Sequence, residues 1–212
     1  MNFNGLDIQE NIQPKDAEAL CDLAKTAPEG ATIVEVGSWK DMSALILASS
    51  APSARVFCVD TFEGSQETWQ EDNKQDIFSI FRHNTKSMGF YHVNIFPLVM
   101  PSHVAATIFP QDSIDMIFID GDHRFTPFQT DLTLWEKRVK PGGIICGHDC
   151  NAKFTQFSTF WQTEIHSQCE NDWVQFDGSY IHPGITLGLW KAFADDYTIY
   201  EGSSIWAKRK AL

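Results

Sequence analysis

Residues 114–123 read IDMIFIDGDH, an apolar strand pattern that runs directly into a cluster of charged residues. Short apolar runs bounded by turns are typical of strands that are buried on both faces of a parallel sheet. Similar runs stand at 31–36, 54–59 and 144–147, and helix-like segments separate them. This alternation predicts an α/β fold, with a mostly parallel sheet covered by helices on both faces.

The remaining chain completes this pattern as one domain spanning residues 1–212. Further elements are predicted from periodicity and turn residues: helices at 14–27, 43–50, 102–109 and 127–139, a partly helical polar segment at 65–86, a strand at 91–99, and a turn at 140–143. The tail at 197–208, with Glu201-Gly202 at its centre, reads as a hairpin. We therefore expect a seven-stranded sheet whose last strand is antiparallel.

Composition and charge argue against several classes of protein. The 212 residues carry a net charge of −12, which repels phosphate backbones and makes nucleic acid a poor partner. The basic run Lys208-Arg209-Lys210 is too short to form a binding surface. No signal-peptide pattern and no apolar stretch of the ~18 residues needed to cross a bilayer are found, so we expect no membrane contact. The odd, scattered cysteines fit a reducing cytoplasm.

Polar residues follow the predicted strands at the points where those strands end. Gly37 follows the first strand, Asp60 ends the second, and 120–123 and 148–149 follow two more. Ligands bind at the carboxyl ends of strands in open α/β sheets. An acid about 20 residues beyond a glycine turn can accept hydrogen bonds from both ribose hydroxyls of an adenosine-type cofactor. Each residue alone could be an ordinary turn or helix cap, but their joint placement favours a binding site.

Five segments resemble class I S-adenosylmethionine-dependent methyltransferases. Residues 33–39 (IVEVGSW) resemble motif I of that family, and 56–60 (VFCVD) resemble its second motif. Residues 114–123, together with 140–149 (KPGGIICGHD), are similar to a subgroup of small bacterial O-methyltransferases related to catechol O-methyltransferase. A late HPGI element, which begins at His182, also matches that subgroup, and the resemblance spans roughly residues 33–208.

The resemblance implies a Rossmann-like class I methyltransferase fold that binds S-adenosylmethionine. The residues that it implies for cofactor binding are Glu35, Gly37, Ser38, Trp39, Ser43, Asp60, Thr61, Ser102 and Asp120. The family often has a second glycine shortly after motif I, and Lys40-Asp41 stands there in this chain. Aspartate tolerates left-handed backbone better than most residues, so the loop can survive this departure.

A divalent metal, Mg²⁺ or Mn²⁺, is also implied, with Asp120, His148 and Asp149 as its ligands. His148 stands where catechol-type enzymes have an acid and shifts the preference towards Mn²⁺. By the same alignment Asp120 is catalytic, and His123 falls at the position of the general base. A loop histidine facing water is the alternative for His123, and support of Asp149 is the alternative for His148.

The implied reaction is methyl transfer to a small-molecule acceptor, most simply at a hydroxyl group. Residues 150–181 interrupt the strand–helix pattern, and we expect this insertion near the substrate site. Its aromatic residues Phe154, Phe157, Phe160 and Trp161 are candidates for a wall over the acceptor, for core packing or for a homodimer contact. The alternatives are an NAD-dependent oxidoreductase, which would need a G-x-G-x-x-G turn, a non-catalytic adenosine-cofactor binder, and a different reaction on the same fold.

Overall fold

A seven-stranded sheet forms the centre of the structure, a computed structural model that describes residues 12–64, 76–176 and 178–212. The strands are β1 Thr32–Val36, β2 Arg55–Asp60, β3 Ile95–Val99, β4 Ile114–Ile119, β5 Val139–Gly147, β6 Val174–Phe176, β7 Ser179–Ile181, β8 Thr198–Ile199 and β9 Trp206–Arg209. The α-helices are α1 Pro14–Lys25, α2 Met42–Ser50, α3 Ile77–Ser87, α4 Ser102–Ala105, α5 Phe125–Glu136, α6 Thr159–Ser167 and α7 Pro183–Phe193.

The sheet has the order β3-β2-β1-β4-β5-β9-β8. The first five strands in the chain pair in parallel, and β9 pairs antiparallel with both β5 and β8. The predicted seven-stranded α/β sheet with an antiparallel last strand is therefore confirmed. The chain leaves β1 towards β2 on one side and returns to β4 on the other, so a crevice opens between the ends of β1 and β4.

Two hydrophobic cores cover the faces of the sheet. Side chains of α1 and α2, such as Leu20 and Leu45, pack on one face, and side chains of α5 and α7, such as Phe128 and Leu189, pack on the other. Every residue of β1 is buried, which explains its unbroken apolar reading apart from Glu35. Within the described residues, no helix combines the length and the apolar character needed to cross a membrane.

Several sequence predictions need correction. The strand predicted at 91–99 begins at Ile95, and the helices predicted at 14–27 and 102–109 end at Lys25 and Ala105. The turn expected at 140–143 lies inside β5, where the pairing with β4 shifts register between Ile114 and Met116. Gly143 makes this irregularity possible, because a Cβ there would stand 2.6 Å from Val139 Cγ1 and 3.0 Å from the backbone oxygen of Asp115. The helix predicted at 127–139 begins two residues earlier and ends at Glu136. Of the predicted segment 65–86, residues 65–75 lie outside the described part of the chain.

The insertion at 150–181 forms a small structure of its own beside the main cores. It contains a short 3₁₀ turn at Phe154–Gln156, the helix α6 and the hairpin of β6 and β7. Buried residues of these elements pack together against α7 and form a third cluster with Phe154, Ile165, Val174, Phe176, Ile181 and Leu187. Core packing is thus one function of the aromatic residues in this segment.

Candidate functional site

The turn at Gly37 directly follows β1 and lies at the carboxyl edge of the sheet. Gly37 has a φ of +86°, in the left-handed region that glycine adopts without strain. A Cβ at this position would lie 2.1 Å from the backbone oxygen of Asp120, so a side chain is excluded here. The turn continues with left-handed backbone at Trp39 and Asp41. Asp41 adopts a φ of 97°, which confirms that aspartate takes this conformation in the loop.

Asp60 ends β2 next to this turn. Its Oδ2 accepts a hydrogen bond from the Trp39 amide at 2.8 Å, and its Oδ1 accepts one from the Phe62 amide at 2.7 Å. Burial raises the pKa of Asp60, although these backbone hydrogen bonds oppose the increase. These two hydrogen bonds fix Asp60 at the edge of the sheet. Because a carboxylate has about four lone-pair positions, Asp60 can still accept hydrogen bonds from a ligand.

Two further carboxyl groups are buried behind the turn. Burial raises the pKa of Glu35 to about 7, and the nearby hydroxyls of Ser38 and Ser43 offset this only in part. Neither Glu35 carboxyl oxygen has a hydrogen-bond partner in the described part of the chain. Burial also raises the pKa of Asp41 to about 8, and the Asn84 side-chain amide lies 3.4 Å from its Oδ1. Asp41 is therefore largely protonated at neutral pH, whereas Glu35 changes its protonation state near neutral pH.

The other predicted cofactor residues differ in their surroundings. Ser38 and Ser43 are buried at the turn, whereas Thr61 is exposed just beyond Asp60. The Ser102 hydroxyl donates to Asp131 Oδ1 at 2.6 Å and accepts from the Trp135 indole N–H at 2.8 Å. Its donor is used within the fold, so Ser102 has a packing role, and its cofactor contact stays a prediction.

The three predicted metal ligands lie together at the ends of β4 and β5. His148 Nδ1 is 3.5 Å from Asp120 Oδ1 and 3.5 Å from Asp149 Oδ1. One donor atom from each of the three residues lies within 4.8 Å of the other two. They meet because Ile119 pairs with Gly147, so the residues that follow the two parallel strands emerge side by side.

His123 lies beside this group, in the loop between β4 and α5. Its Nε2 is 3.1 Å from Asp149 Oδ2 and 3.7 Å from Asp120 Oδ1. Its Nδ1 is 2.7 Å from Asp172 Oδ1, at hydrogen-bond distance. Nε2 is buried and forms no hydrogen bond to the described residues. The ring is thus held through Nδ1, with Nε2 directed at the carboxylates and not at bulk water.

The structure adds Asp16, Asp172 and His182 to the site, for which the sequence predicted no role. Asp16 Oδ2 lies 3.3 Å from His148 Nε2. His182 precedes α7, with its Nε2 3.8 Å from Asp149 Oδ1 and its Nδ1 2.8 Å from the backbone oxygen of Asp172.

Sequence patterns could have identified two of these three residues. Asp16 stands four residues before Leu20, and an acid on the apolar face of a helix is unusual. His182 begins the HPGI element. Asp172 lies in the insertion, and nothing in its sequence neighbourhood distinguishes it from a surface acid.

Charge interactions dominate this cluster. Burial alone would lower the pKa of His148, but Asp120 and Asp16 raise it to about 11. Burial likewise opposes protonation of His123, and the surrounding carboxylates raise its pKa well above the usual value. The pKa values of Asp120 and Asp149 are lowered, because the imidazoles outweigh the effect of burial. Without a cation, protonated imidazoles balance the carboxylates.

The aromatic residues of the insertion pack mainly on one another. Phe154 stacks on Trp190 of α7, with ring centroids 4.6 Å apart, and Phe157 and Trp161 both contact Phe176. The residue that the insertion places in the polar cluster is Asp172. The predicted aromatic wall over an acceptor stays a prediction.

These features accompany a match to a protein family. Residues 34–150 match the family model described as a methyltransferase domain. The match takes in more than half of the chain, so the chain belongs to this methyltransferase family. The predicted family and its Rossmann-like fold are therefore confirmed.

One curated relative is a viral protein. Uncharacterized protein R132 of Acanthamoeba polyphaga mimivirus is 27% identical over 124 residues, which cover 56% of this chain and 51% of the viral protein. The chain thus spans about half the length of the curated relative that it matches.

Solved structures share the fold at low sequence identity. A protein from Corynebacterium glutamicum has a TM-score of 0.63 and 12% identity, covering 95% of this chain and 82% of that one. A cofactor-bound protein from MTB has a TM-score of 0.58 and 15% identity, with coverages of 97% and 84%. A SAM-dependent O-methyltransferase from Thermotoga maritima has a TM-score of 0.55 and 12% identity, with coverages of 97% and 68%.

Proposed function

We propose that this protein transfers the methyl group of S-adenosylmethionine to a hydroxyl of a small-molecule acceptor, assisted by a divalent metal. One observation carries the proposal. In a chain of the methyltransferase family, the Gly37 turn and the Asp60 acid share the carboxyl edge of the sheet with a cluster of Asp and His side chains. This arrangement puts a nucleoside-binding turn next to groups that can activate a hydroxyl.

The cofactor part of the proposal rests on the turn after β1. Gly37 lets the backbone approach a ligand closely, and Asp60 is fixed where it can accept hydrogen bonds from ribose hydroxyls. The carboxyl of Glu35 is buried beneath the turn, and its oxygens have no hydrogen-bond partner among the described residues. A ligand, or a water bound to a ligand, would supply such a partner. Ser38 and Trp39 directly follow Gly37 in the same turn.

The donor set at Asp120, His148 and Asp149 fits a divalent cation. Carboxylate oxygens and an imidazole nitrogen are ligands of Mn²⁺, and His148 presents Nδ1 to both carboxylates while Nε2 faces Asp16. Metal-bound imidazoles usually donate their second N–H to such a carboxylate. A divalent cation there would lower the pKa of a hydroxyl bound to it and offset the carboxylate charge that favours the His123 imidazolium.

His123 is the proposed base. In its neutral form, Nε2 accepts the hydroxyl proton while Asp172 holds the ring through Nδ1. The acceptor oxygen forms a bond to the methyl carbon as the carbon–sulfur bond breaks, which leaves a methyl ether and S-adenosylhomocysteine. Positioning of donor and acceptor in line supplies much of the rate enhancement.

Calorimetric titration with S-adenosylmethionine and with NAD, each with and without Mn²⁺, tests the proposal. We expect binding of S-adenosylmethionine and none of NAD, because the turn after β1 lacks the second and third glycines of the G-x-G-x-x-G motif. Binding of NAD in place of S-adenosylmethionine would overturn the proposal in favour of an oxidoreductase. Binding of S-adenosylmethionine without any affinity for Mn²⁺ would contradict the metal part of the proposal and leave the methyl transfer.

A further inference from the structure

We propose that His123, Asp149 and His182 form a second metal site, selective for a transition metal such as Zn²⁺. It adjoins the site at Asp120, His148 and Asp149 and shares Asp149 with it. One donor atom from each of its three residues lies within 4.8 Å of the other two. The proposal concerns metal binding by the chain itself and needs neither a methyl donor nor an acceptor.

Donor distances in this group suit ligands that share one ion. His123 Nε2 is 3.1 Å from Asp149 Oδ2, and His182 Nε2 is 3.8 Å from Asp149 Oδ1. Two ligands each ~2.1 Å from a common ion are separated by about 3.0–3.5 Å when adjacent in octahedral or tetrahedral coordination. The His123 distance falls in this range, and the His182 distance is slightly longer, so binding would draw His182 closer to Asp149. The 3.1 Å contact of His123 Nε2 does not have the geometry of a hydrogen bond, so this buried nitrogen makes ion-pair contacts with carboxylates but no hydrogen bond to the described residues.

Both imidazoles are held from behind in the manner of metal ligands. His123 Nδ1 lies 2.7 Å from Asp172 Oδ1, and His182 Nδ1 lies 2.8 Å from the backbone oxygen of the same residue. A ring that donates from Nδ1 keeps its lone pair on Nε2, the atom that faces Asp149. Metal-binding histidines are usually fixed in this way by a carboxylate or a carbonyl. The insertion therefore orients two imidazoles through one residue.

The donor types distinguish the two sites. Asp120, His148 and Asp149 offer two carboxylates and one imidazole, a set that accepts Mg²⁺ or Mn²⁺. His123, His182 and Asp149 offer two imidazoles and one carboxylate, which with water is a common set for Zn²⁺. Excess Mg²⁺ should consequently compete at the first site and leave Zn²⁺ bound at the second.

Charge also favours two ions. Four carboxylates, those of Asp16, Asp120, Asp149 and Asp172, surround the neutral forms of His123, His148 and His182. One divalent cation offsets two of these four negative charges, and a second cation offsets the remainder. Partly buried charges are costly unless they are paired or bound to metal, so the cluster has the charge for a second ion.

Occupancy of the second site has a consequence that rests on the proposed function. A metal ion on His123 uses Nε2, the atom assigned to accept the hydroxyl proton. The second ion and the base role of His123 are therefore mutually exclusive, and Zn²⁺ should hold the enzyme in a form that lacks its base.

Equilibrium dialysis of the full, chelator-treated chain against Zn²⁺ tests the second site. We expect the wild-type chain to bind two Zn²⁺ ions. One of these two ions should stay bound in the presence of millimolar Mg²⁺. His182→Ala should bind one ion and lose the Mg²⁺-resistant ion, whereas Asp120→Ala should keep it. His83→Ala removes an exposed histidine of α3 and should behave as the wild type.

A spectroscopic measurement on the wild type guards against a His182 variant that does not fold. With Co²⁺ bound, proton NMR should show three paramagnetically shifted imidazole N–H signals, from His123, His148 and His182. A single shifted signal, or one ion per chain in dialysis with no effect of His182→Ala, would overturn the second site. Either result leaves the proposed function intact, because that depends on S-adenosylmethionine binding and the first site.

Discussion

At the scale of single residues, Asp149 lies close to all three imidazoles of the cluster. Its backbone is left-handed, with a φ of 63°, two residues after the end of β5. Its two oxygens face different rings, because Oδ1 lies near His148 and His182 while Oδ2 lies near His123. Both proposed metal sites depend on this one side chain.

Asp149→Ala should therefore abolish metal binding while the cofactor turn stays intact. Loss of an outer contact to a metal ligand already costs 10–100-fold in affinity, so we expect Mn²⁺ binding to fall by at least about 100-fold in calorimetry. S-adenosylmethionine affinity should change little. The control is Asp122→Asn, which removes an equal charge from a residue paired with Arg124. Unchanged Mn²⁺ affinity in Asp149→Ala would contradict the assignment.

Asp60→Asn should weaken S-adenosylmethionine binding by roughly tenfold or more, since a hydrogen bond to a charged group contributes about 1.5–3 kcal/mol. The variant keeps the side-chain shape but loses the charge that accepts ribose hydroxyls. Titration calorimetry measures the effect, and Asp22→Asn, an exposed acid on α1, serves as the control for the change in net charge. Equal affinities in both variants would remove Asp60 from the cofactor site.

Glu35 predicts a pH dependence of stability. Burial raises its pKa from 4.5 to about 7, so the folded state keeps the proton that the unfolded state releases above pH 4.5. This contribution is fully present below pH 4.5 and is lost as the pH rises towards and through about 7. Its upper limit is about 3 kcal/mol, at 1.36 kcal/mol per pKa unit.

Urea unfolding of the ligand-free chain at pH 5, 6, 7 and 8 checks this prediction. Glu35→Gln cannot ionise, so its stability should fall less over this range than that of the wild type. The difference between the two curves isolates Glu35, because the other ionisable groups are the same in both proteins. Parallel curves would show that Glu35 does not titrate in this range.

At the scale of elements, the pairing of β1 with β4 brings together the Gly37 turn, proposed for the cofactor, and the cluster proposed for the metal. Val36 pairs with Ile119, so Gly37 and Asp120 follow at the same level of the sheet. The Asp120 amide donates to the backbone oxygen of Val36 at 2.8 Å, which ties the two strand ends to each other. The close approach of backbone to backbone at this point requires a glycine.

Gly37→Ala should destabilise the fold by an amount on the order of 3 kcal/mol, because the new Cβ meets the Asp120 backbone and the left-handed φ is strained. Gly30→Ala is the matched control. Gly30 has a φ of +71° but nothing within 4 Å of its would-be Cβ, so backbone strain alone should cost about 1 kcal/mol. Chemical denaturation measures both values. Similar losses in the two variants would show that the approach to Asp120 is not critical.

At the scale of the whole molecule, the insertion connects a separate aromatic cluster to the proposed metal ligands. Phe176 is buried among the aromatic residues of that cluster and stands four residues after Asp172, which touches both His123 and His182. Loosening the cluster should therefore release the support behind the two imidazoles while the central sheet remains folded.

Phe176→Ala tests this coupling, since removal of a buried phenylalanine costs about 3–5 kcal/mol of packing energy. Hydrogen exchange should accelerate in residues 159–181 and stay slow in β1 and β4. Zn²⁺ binding at the second site should weaken, and Mn²⁺ binding at the first should not. Phe160→Ala, at a residue that is 63% exposed, should change neither. Unchanged Zn²⁺ binding in Phe176→Ala would show that the insertion does not support the site.

The sequence by itself determined the sheet and its carboxyl edge. Buried parallel strands are mostly apolar, so β1, β2 and β4 can be recognised in the sequence as apolar runs. Candidate functional residues that follow such a run can then be placed at the carboxyl end of its strand. Gly37, Asp60, Asp120 and the pair His148-Asp149 could be placed for this reason. The register shift within β5 could not, because the residues at 140–143 have the composition of a turn, and only the pairing of Val139 and Ile144 with β4 on either side includes them in a strand.

Tertiary structure alone decided the remainder of the cluster. Asp16, Asp172 and His182 come from a helix, an insertion and a helix start far apart in the chain, and their contacts depend on how these elements dock on the sheet. Local sequence patterns report which face of an element is buried, but not which distant element covers it. The sequence could therefore place Asp149 at the edge of the sheet, while three-dimensional packing determined that three imidazoles surround it.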